Sequence, residues 1–505
     1  MKSLVSAAVQ SGSGSWTPRR PLVRFLGLAP AALLLCGLFT VWAGPAARPV
    51  SAGTALAQPQ SVAVSGDWTQ FRNDPTRQGY NAAETTLSAS NVHALGTAWT
   101  AIIGNAIYSS PAVANGVVYI GSYDGKLYAF AVGCNSGGGS CSPLWTATTG
   151  SAIQSSPAVA NGVVYVGSED DKLYAYAVGC ASGGGSCSPL WTGATGGAID
   201  YSSPVVSNGV VYVGSSDGEL YAFNAAGVSG CSGSPKTCSP LWTGFTGGDI
   251  ESSPAVANGV VYVGSYDGKL YAYAVGCNSG GGSCSPLWTA TTGGSIFSSP
   301  AVANGVVYVG SYDHKLYAFA VGCNSGGGSC SPLWTATTGS AIHSSPAVAN
   351  GVVYVGSYDD KLYAYAVGCN SGGGSCTPLW TATTGGGILS SPAVANGVVY
   401  VGSYDDSLYA FDATGVSGCS GSPKTCTPLW TAATSGLILS SPAVANGVVY
   451  VGSFDDTLHA FHLVVVRYAG ADRFATAAAV SAHTFGSPCH CTAYIATAYN
   501  FPDAL

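Results

Sequence analysis

One unit recurs eight times between Trp99 and His462, and this repeat constrains the fold more than any other feature of the sequence. The tripeptide Ser-Ser-Pro marks each copy at intervals of 46 to 50 residues, with its proline at Pro111, Pro157, Pro204, Pro254, Pro300, Pro346, Pro392 and Pro442. Each proline is followed by Ala/Val-Val-x-Asn-Gly-Val-Val-Tyr, an Asp-containing turn, an alternating run such as Leu-Tyr-Ala-Phe, a Gly/Ser-rich loop and Leu-Trp-Thr.

Each unit is predicted to contain four short antiparallel strands. The apolar alternation, the β-branched and aromatic residues and the Asn-Gly and Asp-Gly turns are typical of hairpins. The first strand lies around Ser-Ser-Pro-Ala-Val, the second at Gly-Val-Val-Tyr-Val, the third at Lys-Leu-Tyr-Ala-Phe and the fourth at Leu-Trp-Thr. Four strands in a repeat of this length indicate a β-propeller blade. A linear β-solenoid is the alternative, but its repeats are usually shorter and it needs caps at both ends.

Composition agrees with an all-β chain. Glycine supplies 71 of the 505 residues and only 8% are charged, which argues against a helical bundle, a coiled coil or a charged disordered chain. All five basic residues of positions 1–57 lie in a stretch without acidic residues, so the rest of the chain is markedly acidic. Because an acidic body repels phosphate backbones, we expect no nucleic-acid partner.

The two ends of the repeat array predict a closed ring. The last copy stops after its third strand near Phe461, whereas the strand around Trp99 precedes the first copy and has no blade of its own. If the Trp99 strand completes the eighth blade, the missing fourth strand is supplied, the Trp99 strand belongs to a blade, and no sheet edge is left exposed. The sequence therefore predicts an eight-bladed β-propeller of four-stranded antiparallel blades over residues 98–463. A linker and lead-in segment over 58–97 precedes it, and a partial α/β module over 464–505 follows.

Residues 1–57 are interpreted as a signal peptide. Arg19, Arg20 and Arg24 precede an apolar run over 25–43, and the segment ends in the A-x-A pattern Ala55-Leu56-Ala57. A retained transmembrane anchor is the alternative, since a run of this length can just span a bilayer. We expect a mature form without a membrane segment, secreted or held in the cell envelope.

Fourteen of the 17 cysteines form seven pairs of identical spacing, each bracketing the loop between the third and fourth strands. Since an exported chain meets oxidising conditions, each pair is predicted to form a local disulfide. Metal binding, the alternative, would want shorter spacing and companion histidines. The pairs are Cys134-Cys141, Cys180-Cys187, Cys231-Cys238, Cys277-Cys284, Cys323-Cys330, Cys369-Cys376 and Cys419-Cys426.

The residue before each Ser-Ser-Pro changes from unit to unit while its surroundings barely change. Because successive strands alternate in direction, the fourth-to-first connections and second-to-third turns share one face of the ring, and the disulfide loops lie on the other. The varying positions are therefore predicted at the channel mouth, as candidate ligand-binding residues: Tyr108, Gln154, Tyr201, Glu251, Phe297 and His343, with Leu389 and Leu439 completing the ring. Drift at a solvent-exposed position is the alternative. The aspartate of every second-to-third turn, such as Asp124, is expected to cap the turn backbone.

The repeat and the opening Asp67-Trp68-Thr69-Gln70-Phe71-Arg72 resemble propellers of the pyrroloquinoline-quinone (PQQ) type. That family includes quinoprotein dehydrogenases, an outer-membrane assembly lipoprotein and sensor domains without a cofactor, so the resemblance implies the fold and leaves function open. A quinoprotein dehydrogenase needs a carboxylate and amide cluster that holds calcium, and often a vicinal disulfide. The sequence has no Cys-Cys pair, and Asp359-Asp360 and its equivalents recur as turn residues. We expect no catalytic residues, no metal site and no cofactor.

The segment 464–505 resembles the second type of bacterial cell-wall-binding repeat, through Arg467-Tyr468-Ala469-Gly470-Ala471-Asp472-Arg473 and Asn500-Phe501-Pro502-Asp503-Ala504-Leu505. Less than half of one copy is present, which predicts a truncated module, and Cys489 and Cys491 have no assigned role. We expect a monomeric, non-enzymatic propeller that acts as a binding or scaffold platform for a cell-wall polymer, an envelope protein or a glycan. A PQQ-dependent oxidoreductase that uses PQQ and calcium is the alternative.

Overall fold

Eight antiparallel sheets stand in a ring in the computed structural model, which describes residues 66–134, 139–180, 185–277, 281–323, 328–369 and 375–464. The predicted signal peptide and the wall-binding repeat from residue 465 onward lie outside the described residues and stay predictions. The innermost strands of neighbouring blades contact one another all the way round, and the eighth contacts the first. This confirms the eight-bladed propeller. No helix of the described ranges has the length and apolar character that crossing a membrane requires.

Each blade has four main strands, numbered first to fourth from the channel outward. The first strands are Ala112–Ala114, Ala158–Ala160, Val205–Ser207, Ala255–Ala257, Ala301–Ala303, Ala347–Ala349, Ala393–Ala395 and Ala443–Ala445. The second strands are Val117–Gly121, Val163–Ser168, Val210–Gly214, Val260–Gly264, Val306–Gly310, Val352–Ser357, Val398–Gly402 and Val448–Gly452. The third strands are Lys126–Ala131, Lys172–Ala177, Glu219–Asn224, Lys269–Ala274, Lys315–Ala320, Lys361–Ala366, Ser407–Asp412 and Thr457–Leu463. The fourth strands are Trp145–Thr148, Trp191–Ala194, Trp242–Phe245, Trp288–Thr291, Trp334–Thr337, Trp380–Thr383, Trp430–Ala433 and Leu95–Ile102.

Shorter elements complete the described secondary structure. Strand Tyr80–Asn81 and the 3-10 helix Val92–Ala94 lie in the lead-in segment. Short strands in the disulfide loops are Ser186–Cys187, Cys231–Ser232, Thr237–Cys238, Ser283–Cys284, Ser375–Cys376, Cys419–Ser420 and Thr425–Cys426.

The predicted roles of the Asn-Gly turns and of the turn aspartates are confirmed. Asn115 and Gly116 join the first two strands with φ of +52° and +78°, the left-handed pair that a tight hairpin requires. In the next turn Asp124 accepts a hydrogen bond from the backbone N–H of Lys126 at 3.0 Å and one from the Tyr128 hydroxyl at 2.6 Å. Asp360 has φ of +64° and occupies the left-handed turn position that glycine holds in other blades. The paired aspartates are therefore turn residues.

The seam of the ring closes at the Trp99 strand. Leu95–Ile102 pairs antiparallel with Thr457–Leu463, and Trp99 stands opposite Ala460. The Trp99 ring is 1% exposed and lies 5.9 Å from that of Tyr450 in the eighth blade and 6.1 Å from that of Phe130 in the first. The predicted completion of the eighth blade is confirmed.

The two serines of each Ser-Ser-Pro hold the blades together. The first accepts a hydrogen bond within its own blade, as when the Gly121 N–H donates to the Ser109 hydroxyl at 3.0 Å. The second joins neighbouring blades, because its backbone N–H donates to the hydroxyl of the matching serine in the next blade. Eight such bonds of 2.9–3.0 Å form a circle, which closes from the Ser441 N–H to the Ser110 hydroxyl.

The lead-in segment runs around the first strands and hydrogen-bonds to every blade in chain order. Trp68 and Val113 of the first blade exchange two backbone hydrogen bonds of 2.9 and 2.7 Å. The N–H groups of the matching valines in five further blades donate to backbone carbonyls at Thr69, Pro75, Thr76, Gln78 and Gly79. The third and eighth blades are bonded by side chains of the segment. The Gln70 side chain accepts a hydrogen bond from the Val206 N–H, and the Asn81 side chain donates one to the Val444 carbonyl. Residues 66–84 are thus built into the propeller along the first strands of its blades.

Two arginines of this segment are fully buried beside the Ser-Ser-Pro strands. Arg72 donates to the Pro392 carbonyl at 2.7 Å and to the Pro346 carbonyl, and Arg77 donates to the Pro254 and Ser203 carbonyls at 2.8 Å. Burial lowers the pKa of each guanidinium to about 9, although Asp74 acts in the opposite direction. Both side chains thereby fix the lead-in segment to four blades.

All seven predicted disulfides are formed, and their loops also join blades. Ser186–Cys187 of the second unit pairs in parallel with Trp145–Thr148, the fourth strand of the first blade. The first loop likewise covers the seam strand, where the Cys141 N–H donates to the Thr100 carbonyl at 2.7 Å. Within the described residues no loop covers Trp430, which is half-buried, whereas the seven other tryptophans of the fourth strands are only 1–2% exposed.

Candidate functional site

A cavity of about 390 Å³ lies at the mouth of the channel, on the face that carries the fourth-to-first connections and the second-to-third turns. All six predicted ligand-binding residues line it, together with Leu389 and Leu439. The predicted placement of the varying positions around the channel mouth is therefore correct, and their role in binding stays a prediction. The lining residues of this kind are Tyr108, Gln154, Tyr201, Glu251, Phe297 and His343.

The floor of the cavity is polar and stiff. The second serine of every Ser-Ser-Pro lines it, and their hydroxyls belong to the closed hydrogen-bond circle. Phe71 of the lead-in segment also lines the cavity, and the Arg77 guanidinium lies 5.3 Å from the centre of the Phe71 ring. Each varying residue directly precedes the first serine, which is hydrogen-bonded within its own blade, and lies two residues before the second serine, which is bonded to both neighbouring blades. Its backbone is therefore held in place by the serines that follow it.

A second set of varying residues contributes three side chains to the cavity, and the sequence analysis missed it. These residues precede the turn aspartate of each blade: Tyr123, Glu169, Ser216, Tyr266, Tyr312, Tyr358, Tyr404 and Phe454. Tyr266, Tyr358 and Tyr404 line the cavity directly. The signal that revealed the first set, variation inside a constant framework, was present here too and could have found it.

Aromatic rings form most of the wall. The rings of Phe297 and His343 are stacked at 4.5 Å, and Tyr266 packs on the other side of Phe297 at 4.4 Å. Tyr108 contacts Phe454 of the eighth blade at 4.5 Å. Tyr201 and His343, from blades three and six, approach to 6.5 Å across the channel. The cavity is therefore narrow enough for one small group to contact several rings at once.

Carboxylates gather on the side formed by blades two to four. Glu251 accepts a hydrogen bond from the Tyr266 hydroxyl, and Glu169 accepts one from the Gln154 amide at 2.6 Å. Burial raises the pKa of Glu251, and the negative charges of Asp200 and Asp249 raise it further, while the Tyr266 hydrogen bond opposes them. Burial likewise raises the pKa of Asp200, and the negative charge of Glu169 raises it further. The lining includes no lysine or arginine side chain.

His343 is a neutral group at ordinary pH. Burial lowers its pKa to about 4, so its imidazole carries no charge at neutral pH. It does not complete a metal site, because no three His, Cys, Asp or Glu side chains of the described ranges come together as metal ligands. His459 belongs to the third strand of the eighth blade, where it hydrogen-bonds the turn residue Asp455 at 3.1 Å.

PQQ and calcium do not fit this lining. PQQ carries several carboxylates, and the wall would place Glu251 beside them with no lysine or arginine to neutralise their charge. Calcium prefers a cage of several oxygen ligands, and the described carboxylates do not converge into one. The lining is thus aromatic and hydroxyl-rich, with one acidic side chain and no basic one.

Eight repeats with Ser-Ser-Pro first strands, closed into a ring, define the protein as a PQQ-like repeat β-propeller. A sequence profile described as outer membrane protein assembly factor BamB matches residues 139–229, 234–322 and 328–417, more than half of the chain. The chain belongs to this BamB-like repeat family. No curated protein matches it in sequence.

Solved structures of BamB and of quinoprotein-type dehydrogenases share the fold. BamB from Moraxella catarrhalis superposes with a TM-score of 0.54 at 16% identity, over 73% of this chain and 97% of that one. A europium-containing methanol dehydrogenase superposes with a TM-score of 0.60 at 12% identity, over 79% and 98%. The quinohemoprotein alcohol dehydrogenase of Comamonas testosteroni gives 0.59 at 14% identity, over 80% and 82%. At these identities the likeness concerns the fold alone.

Proposed function

We propose that this protein is a non-enzymatic binding propeller of the cell envelope or the extracellular space, and that the cavity at the channel mouth is its ligand site. One observation carries the proposal: the residue before each Ser-Ser-Pro differs in chemical type from blade to blade, and all eight of these residues line the same cavity.

The architecture suits a platform. The serine circle, the lead-in segment and the disulfide loops each join neighbouring blades, so the wall of the cavity is held by three independent sets of bonds. Seven disulfides support an oxidising compartment outside the cytoplasm. The family name supports a scaffold role, in which a monomeric propeller presents its face to an envelope protein or a glycan.

Wall association is a separate part of the proposal, and it rests on the resemblance of 464–505 to a wall-binding repeat. Purified cell walls should retain the full chain more strongly than a chain that ends at Leu463. If both chains are retained equally, the C-terminal segment has no part in wall binding.

Ligand binding by the cavity is tested with glycan and envelope-protein arrays. Tyr108→Ala combined with Phe297→Ala removes rings from opposite parts of the wall, and its array signals should fall to background. Phe245→Ala is the matched control, because Phe245 is 60% exposed and is not a lining residue. Signals that both variants and the wild type share would place binding elsewhere and refute the cavity as the site.

The oxidoreductase alternative is favoured by solved dehydrogenases that share the fold. A thermal shift assay with PQQ and calcium separates the two functions. The charge of the lining predicts no rise in melting temperature. A rise that grows with PQQ concentration, accompanied by dye reduction with an alcohol or a sugar, would replace the binding function with a dehydrogenase.

A further inference from the structure

We propose that the cavity recognises an alkylammonium group, carried either by a small free amine or by a lysine side chain of a polypeptide. The inference rests on the proposed function and assigns a ligand class to the same site. Three features of the wall support it: one-sided negative charge, exposed ring faces and an uncharged histidine.

The charge of the wall selects for cations. Glu251 lines the cavity, and Asp200, Asp249 and Glu169 stand close enough to raise the pKa of neighbouring carboxyls. The lining includes no basic side chain that would offset them. Arg77 donates to the Ser203 carbonyl and lies 5.3 Å from the centre of the Phe71 ring, but its side chain is not part of the lining. A cation that enters the cavity therefore meets the Glu251 side chain with no basic side chain in the lining itself. An anionic polymer meets repulsion in the same place.

The rings supply the rest of a cation site. Tyr201 and His343 meet edge to face at 6.5 Å, so the aromatic side chains of the wall form one continuous surface beside the cavity. Aromatic faces attract ammonium groups within about 6 Å of the ring centre, and cages of several rings recognise quaternary and methylated amines. Tyr108 and Phe297, from blades one and five, contribute further rings to the wall.

His343 favours the same ligand. It stacks on Phe297 and makes no side-chain hydrogen bond to another described residue. An imidazolium here would repel a cation, but burial keeps the ring neutral. The neutral ring leaves a nitrogen lone pair that can accept a hydrogen bond from a primary ammonium group.

A neutral sugar is the competing small ligand, because rings and serine hydroxyls also bind carbohydrate. A neutral sugar can donate hydroxyl hydrogen bonds to Glu251, but the amide oxygen supplied by Glu251→Gln accepts such bonds as well, whereas a cation loses its counter-charge. The two ligand classes therefore differ in one measurable respect, which is dependence on the Glu251 charge.

The experiment is calorimetry on the oxidised full chain with pairs of probes that differ in charge. Choline is compared with 3,3-dimethyl-1-butanol, its uncharged carbon analogue, and a lysine-ended tripeptide with the same peptide acetylated at the lysine. We expect the charged member of each pair to bind at least about tenfold more tightly. If choline binds more tightly than the unacetylated peptide, the natural ligand is a small free amine. If the unacetylated peptide binds more tightly than choline, the natural ligand is a lysine side chain of a polypeptide.

Glu251→Gln should weaken binding of the charged probe by about tenfold, and Phe297→Leu should do the same. Asp200→Asn is a second charge variant in case Glu251→Gln does not fold, and Phe245→Leu should leave binding unchanged. Equal binding of choline and its neutral analogue overturns the proposal. The proposal is also overturned if a neutral chito-oligosaccharide binds and its affinity is unchanged by Glu251→Gln. In that case the cavity is still a ligand site, so the proposed function holds. If the Tyr108→Ala and Phe297→Ala double variant keeps all array signals, the proposed function fails as well.

Discussion

Replacing Trp242 by alanine should destabilise the propeller more than the same replacement of Trp430, although both residues occupy the same place in their blades. Trp242 is 2% exposed, its ring lies 5.7 Å from Tyr212, and its strand is covered by the next disulfide loop. Trp430 is half-buried, because the described residues place no loop on its strand.

The magnitudes follow from burial. A buried aromatic side chain removes about 150–250 Å² from water, and at about 25 cal/mol per Å² this is worth about 4–6 kcal/mol. Trp242→Ala should therefore cost about 3–5 kcal/mol, and Trp430→Ala about 1–2 kcal/mol less. The indole hydrogen bonds are similar, since Trp242 donates to the Val275 carbonyl at 3.3 Å and Trp430 to the Leu95 carbonyl at 3.0 Å. The comparison thus isolates burial.

Guanidinium unfolding of the oxidised protein, followed by near-ultraviolet circular dichroism, measures both free energies of unfolding. Each variant is first checked by mass for seven intact disulfides, so that a lost bridge is not mistaken for lost packing. Equal losses, or a larger loss for Trp430→Ala, would refute the idea that disulfide loops stabilise blades by covering the preceding tryptophan.

Three further predictions concern the serine circle, the cavity and the disulfides. Ser299→Ala removes the hydroxyl that accepts the Ser253 N–H at 2.9 Å, so unfolding should become easier by about 1–3 kcal/mol in the same assay, and no change would mean that water replaces the hydroxyl. The unfolded chain protonates His343 near its ordinary pKa of 6.5 while burial keeps the folded pKa at about 4, so stability should fall as pH drops from 6.5 to about 4. His343→Phe should remove that part of the pH dependence, and parallel stability curves for variant and wild type would contradict it. Cys231→Ser with Cys238→Ser opens one loop of about eight residues and should cost about 2–3 kcal/mol by thermal or denaturant unfolding, whereas an unchanged midpoint would show that the loop holds its place without the bond.

Sequence reasoning reached those parts of the structure that are local or periodic. The Asn-Gly hairpins, the turn role of Asp124 and the disulfides each depend on residues a few positions apart. Closure at Trp99 was predictable because one strand was missing at one end of the array and one was spare at the other. The placement of Tyr108 and its equivalents followed from strand direction alone.

The parts that escaped prediction lack periodicity. The lead-in segment offers mostly backbone carbonyls to the blades, at Thr69, Pro75 and Thr76 among others, and carbonyls carry no sequence signature. Burial of Arg72 and Arg77 depends on that path, so neither arginine could be recognised as interior. The disulfide loops pair with the preceding blade through strands of two residues, such as Ser186–Cys187, which no pattern reveals.

Amide hydrogen exchange at the seam tests most directly the claim that eight blades close around one cavity. In a closed ring, the amides of Leu95–Ile102 that pair with Thr457–Leu463 should be protected as strongly as those of Trp145–Thr148 inside the array. Exchange of the Leu95–Ile102 amides at the rate of an unpaired segment, while the Trp145 strand stays protected, would mean that the ring is open and that the eight varying positions do not share one cavity.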